Sequence, residues 1–178
     1  MTRHGLAILA TLAFACGYGP GALARDADDV AAITAKVHGT FLDKSGGLGV
    51  LNGDMTVVRF EVRAGTVTAV GRVVGVLADS AGNPLGRVDR ELALHVSNVV
   101  STCNQLRMDL AATEAYILQN EVQFDGEVAG FDSRDGTNPK ALRVLCAAGE
   151  LLRNNPAPEP LAAALDAIAV AIRSRPAK

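Results

Sequence analysis

The chain has 178 residues, a formal net charge of −2, no tryptophan and 4% aromatic residues. With no basic stripe and a slightly acidic balance, it offers no electrostatic footprint for nucleic acid or an anionic membrane surface. Beyond the N-terminal run, no stretch reaches the roughly 20 apolar residues that span a bilayer as a helix. The length suits one domain, and its core must be built from Val, Leu, Ile and Ala.

Residues 1–24 read as an address. "MTRHG" is a short basic start, "LAILATLAFA" an apolar run of signal-peptide length, and "GALA" places Ala22 and Ala24 for an exporting peptidase, so the expected mature start is Arg25. Two alternatives stay open: an uncleaved anchor, for which the run is short, and a lipoprotein signal in "AFAC" that lipidates Cys16, with Ala13 where leucine is usual. Cleavage after Ala24 removes Arg3 and no acidic residue, moving the formal charge from −2 to −3. Export predicts a periplasmic or extracellular protein.

Residues 25–37, in "RDADDVAAITAKVH", form an acidic leader, either a turn or two of helix or unstructured. From "GTFLDKSGGLGVLNGD" onward, glycines and Asn52-Gly53 punctuate short apolar pieces as turns between strands do. In "MTVVRFEVR", Val58, Phe60 and Val62 alternate with Arg59, Glu61 and Arg63, which predicts a half-buried strand. "TVTAVGRVVGVLAD" carries Val on both faces and predicts a central strand, in which Gly71 and Gly75 permit a bend or close crossing. "SAGNPLG" is a turn.

In "RVDRELALHVSN", Val88, Leu92, Leu94 and Val96 share one face, and in "CNQLRMDL" Leu106, Met108 and Leu110 do, leaving Cys103 off the apolar side. "YILQNEVQFDGEVAG" alternates Tyr116, Leu118, Val122, Phe124 and Val128 against Gln119, Glu121, Gln123, Asp125 and Glu127, predicting one long strand. After the loop "FDSRDGTN" the period switches: Asn138-Pro139 suits a helix start, and Leu142, Leu145, Cys146, Gly149 and Leu152 recur at helical spacing. The Pro-rich "NNPAPEP" separates this from a second helix near Pro160, with the stripe Leu161, Leu165, Ile168 and Ile172.

Strands followed by helices in a block predict a mainly β, α+β domain: an antiparallel β-sandwich or half-barrel with two C-terminal helices. The expected organisation is a signal peptide at 1–24, the leader at 25–37, a β-rich domain with its closing helix at 38–153, a Pro-rich linker at 154–160, and an amphipathic helix and tail at 161–178. Cys103 and Cys146 are the unmodified thiols left by either cleavage, and in an oxidising compartment they are most simply one disulfide, tying the first helix to the sheet. There is no C-x-x-C for redox exchange and no zinc-ligand spacing.

"RFEVRAGTVTAVGRVVGVLADSAGNPLGRV", "TCNQLRMDL" and "ALRVLCAAGELL" resemble an uncharacterised family of secreted bacterial β-rich proteins over roughly residues 38–153. That family has a strand with an A-V-G-x-x-x-G-x-L core, a Cys-x-x-Leu strand and a closing Leu-Cys-Ala helix. The resemblance implies a fold rather than an activity, and its paired cysteines fall on Cys103 and Cys146. The chain departs from it between the cysteines, where "LAATEAYILQNEV" replaces a Leu-rich stretch.

H-E-x-x-H, G-x-S-x-G and P-loop patterns are absent, and no cofactor or metal is predicted. His38 and His95 could serve with Ser or Asp, although a His on the polar face of a strand is commonly solvated. Asp132, Asp135 and Asn138 could meet a cation but miss the ligand spacing of an EF-hand loop. Glu121, Asp125 and Glu127 line one strand face, as an acid pair for glycoside hydrolysis would. The leading expectation is a non-enzymatic exported module that binds another protein or plays a structural role. A carrier of a small apolar ligand comes second and a hydrolase third.

Overall fold

The computed structural model describes residues 31–133 and 139–174. Its elements are β1 Thr34–Leu42, β2 Leu48–Arg63, β3 Thr66–Ala78, β4 Pro84–Ser101, β5 Gln105–Leu110, β6 Thr113–Ile117, β7 Asn120–Phe124, β8 Glu127–Asp132, α1 Pro139–Leu152 and α2 Pro158–Arg173. The sheet is antiparallel throughout, and each of β2, β3 and β4 pairs with the strand before it. β4 pairs with β5, β5 with β8, and β8 with β1, so the ladder closes into a barrel. The predicted mainly β domain with two C-terminal helices is what is found. Of the two sheet arrangements, the curled single sheet is the closer, and it curls far enough to close.

A barrel of six strand positions has room inside only for side chains, with small and large residues alternating to fit. Met55, Val73, Leu77, Val88, Leu92, Met108 and Val122 are buried inward. At Gly71 an added Cβ would lie 2.5 Å from Met55 Cε, so the missing side chain is the space the methionine occupies. Gly53 and Gly75 sit opposite each other, and a Cβ on either would run into the backbone of the other strand. Asn52-Gly53 is therefore not a turn: it lies inside β2, and the actual reversal spans residues 43–47, where Asp43 N donates to Gly47 O.

Three further segments differ from the sequence reading. Thr34–Val37, assigned to the leader, is the first part of β1, whose inward positions Ala35, Val37, Gly39 and Phe41 include residues too small to show as an apolar alternation. In β2 a bulge between Val57 and Arg59 adds Val58 to the strand, so Val57 and Phe60 are buried in place of an even Val58–Phe60–Val62 set. The expected long strand from Tyr116 to Val128 is the end of β6, all of β7 and the start of β8. Leu118 and Gln119, with φ of 46° and 68°, reverse the chain between the first two. Both residues at positive φ make a hairpin turn of the kind Asn-Gly usually marks, so Leu-Gln gives no warning of it.

α1 and α2 close one end of the barrel. Leu145 and Ala148 of α1 and Leu165, Ile168 and Ile172 of α2 belong to the same apolar cluster as the barrel interior, and each large side chain so buried contributes on the order of 1.5–3 kcal/mol. α2 begins at Pro158, inside the segment read as linker, and packs on β2 and β3. Cys103, in the loop between β4 and β5, is disulfide-bonded to Cys146 of α1, with Cα atoms 4.1 Å apart. Beside it Ser101 Oγ donates to Leu145 O at 3.1 Å.

Candidate functional site: the open rim of the barrel

The end opposite the helices is framed by three reversals: residues 43–47, residues 79–83 and the Leu118–Gln119 turn. Asp43 fastens the first two together. Its carboxylate accepts Ser45 N at 2.8 Å, Ser45 Oγ at 2.6 Å and Gly47 N at 3.0 Å within its own turn, and Ser80 N at 2.9 Å and Ser80 Oγ at 2.5 Å across the gap. The Ser45 and Ser80 hydroxyls, then the backbone amides, hold its pKa far below the usual carboxylate range. Asp79 is lowered in the same way, chiefly by the Asn83 side chain at 3.0 Å and the Asn83 amide at 2.7 Å, with the nearby Asp43 charge opposing.

A cavity of about 460 Å³ opens between these turns, with Asp43, Asp79, Leu85 and Leu118 among its walls. A second hollow of about 530 Å³ shares Gln119 and Asn120 with it and is bounded by Leu42, Leu48 and Tyr116. The walls carry an uncommon load of exposed apolar surface: Leu42 is 71% exposed, Tyr116 68%, Leu48 65%, and Leu85 and Leu118 49% each. Contiguous exposure of this kind marks interaction surfaces, whereas single exposed leucines need no explanation. Asp43, Asp79 and Glu121 border it, with Lys44 beside them and the Arg90 guanidinium at Tyr116 O.

The candidate catalytic residues lie elsewhere. His38 points outward from β1, and its Nδ1 meets Asp125 Oδ2 at 2.7 Å, while its backbone amide donates to Glu127 Oε1 at 3.1 Å. The structure thus joins His38 to two of the three acids on that strand face; Glu121 pairs in register with Tyr116 near the rim. Among the described residues no hydroxyl or thiol is hydrogen-bonded to the His38 ring. His95 Nδ1 lies 3.2 Å from Thr68 Oγ1 and 3.4 Å from Thr66 Oγ1, and Thr68 is buried. His95 itself is exposed, so this is a polar contact on the outer face of β3 and β4.

Asp132 ends β8 opposite Gln105. Asp135 and Asn138, the cleavage pair Ala24 and Arg25, and Cys16 lie outside the described residues. Among the described residues no group of three or more His, Cys, Asp or Glu side chains could hold a metal, and no helix is long and apolar enough to cross a membrane. The rim was missed in sequence because Tyr116 and Leu118 were counted as one strand's buried face. The residues that line it come from segments up to roughly 80 positions apart. Comparison with family models, curated proteins and solved structures finds no match to this chain.

Proposed function

We propose that the chain is an exported, non-enzymatic module that binds another protein through the open rim of its barrel. The observation that carries this is the clustering of Leu42, Leu48, Leu85, Tyr116 and Leu118, all exposed, at one end of the molecule. Interfaces favour tyrosine and leave a polar border, and the acidic border here suits a partner that presents an apolar surface flanked by basic side chains. Export is supported by the N-terminal pattern together with the Cys103–Cys146 bond, since such bonds persist in oxidising compartments. A filled barrel interior favours a protein partner over a small apolar ligand.

The test places a photoreactive residue at position 42 or 116, with position 170 on α2 as an exposed control, in protein made by an exporting host. A discrete adduct of one mass from both rim positions, absent from the control and lost when Leu48→Asp is added, is the expected result. Adducts that ignore position, or none at all, would overturn the reading. The denatured mass of the same sample reports export directly, being that of a chain starting at Arg25.

A further inference from the structure

β5–β6 and β7–β8 are two halves of one hairpin held in a single register. Leu110 pairs with Glu127 and, in step beyond it, Thr113 pairs with Phe124, so the unpaired Ala111–Ala112 stands opposite the unpaired Asp125–Gly126. Both strands are therefore interrupted at the same level. Below this line β5 is laddered to β4 and β8 to both β5 and β1. Above it the ladder to β4 is lost, while the pairing to β1 continues.

No backbone ladder joins β6 to β4. The gap is crossed by the Arg90 guanidinium, which donates to Tyr116 O, and by Leu118, which lies against Gly86. On the other side β7 is paired to β1 at Gly39–Phe124 and Thr40–Gln123, as many pairs as β8 makes with β1, so the difference between the two units lies on the β4 side. What holds β6–β7 down is its inner face, Ile117, Val122 and Phe124, all buried over the barrel interior. The break itself is pinned on both sides: Ala111 N donates to His95 O of β4 at 2.8 Å, Asp125 N donates to His38 O of β1 at 3.1 Å, and the Asp125 carboxylate meets the His38 ring.

From this placement we infer that β6–β7 is a hinged flap that opens as one unit about Ala111–Ala112 and Asp125–Gly126, while β5–β8 stays in the barrel. Opening parts β6 from β4 and uncovers Ile117, Val122 and Phe124. A hinge at this line separates a weakly tied unit from a strongly tied one, which is the condition for sub-global opening. The flap does not depend on the rim having a partner, and because it is tested on the isolated protein the two readings fail separately.

The experiment is native-state amide hydrogen exchange on the intact exported chain with its disulfide formed, comparing the ladder amides of β6–β7 with those of β5–β8. The expected result is one common protection across β6–β7, about tenfold or more below that of β5–β8 and changing in a step at the break. Arg90→Ala should speed exchange in β6–β7 alone. A smooth gradient from the Leu118 tip downward would mean ordinary fraying and would overturn the hinge. So would equal protection on both sides of the break, or an Arg90→Ala effect shared by β5–β8.

Discussion

The amide of Phe60 in β2 donates to Asp166 Oδ1 of α2 at 2.7 Å. The bulge at Val58 throws β2 out of step with β3 and frees backbone groups from the ladder. α2 takes them up: Asp166 accepts the Phe60 amide, and Arg173 Nη2 donates to Val58 O at 3.0 Å. Polar groups at the helix–barrel seam are thus matched to a defect in one strand. Asp166→Ala leaves the Phe60 amide without its partner and should cost about 1–3 kcal/mol, read as a lower urea midpoint. Asp166→Asn keeps an oxygen in place and should recover most of the loss. Equal midpoints for wild type and Asp166→Ala would show that the contact contributes nothing.

This seam also shows what the sequence could and could not reveal. Alternation announced β4 and β5, because Val88, Leu92, Leu94, Leu106, Met108 and Leu110 are all inward and all large. It failed in β1, where Gly39 and Ala35 fill inward positions, and at Val58, where one extra residue shifts the phase of everything after it. A bulge is stabilised by partners more than a hundred residues away in sequence, as with Phe60 and Asp166, so local pattern carries no sign of it. The rim was illegible for a related reason: its hairpin turn uses Leu118–Gln119 at positive φ, residues that individually signal strand.

The pairing of the two cysteines was legible from their count and the export expected of the chain, and the bond they form closes a loop with a sequence separation of 43. Restricting the unfolded chain over such a loop is worth up to about 4 kcal/mol in the chain-entropy account. Cys103→Ser should therefore lower the melting temperature of the oxidised protein by roughly 10 °C. Wild type under reductant should fall to the same value. Unchanged melting in both would remove the bond from any role in stability.

Asp43 links acid sensitivity to the rim. Its folded pKa is depressed, so its contribution to stability is complete above the ordinary carboxylate pKa of about 4 and is lost as pH falls through the folded value. Asp79 and Asp89 act in the same direction, Asp89 mainly through its bidentate pair with Arg72 at 2.6 Å. Asp43→Ala should accordingly melt well below wild type at neutral pH, with the gap narrowing as the pH is taken below about 4. A gap that stays constant from pH 7 to pH 2 would show that the carboxylate's charge plays no part.

Gly75 and Gly126 make the sharpest internal comparison, because Gly75 lies inside β3 and Gly126 in the break between β7 and β8, and neither has a positive φ. A Cβ on Gly75 would stand 2.5 Å from Asn52 O and 2.9 Å from Gly53 Cα, both backbone atoms of the neighbouring strand. Side chains can rotate away from an intruding methyl group, but a laddered backbone moves only by parting the ladder. Gly75→Ala should cost roughly 3 kcal/mol. At Gly126 the nearest atom to a new Cβ is Leu110 O at 3.4 Å, an ordinary contact, and reduced freedom in the unfolded chain should make Gly126→Ala neutral or stabilising by up to about 1 kcal/mol. Urea denaturation of the two variants side by side gives the comparison. If Gly75→Ala matched Gly126→Ala, the close approach of β2 and β3 would not be the constraint that keeps glycine at position 75.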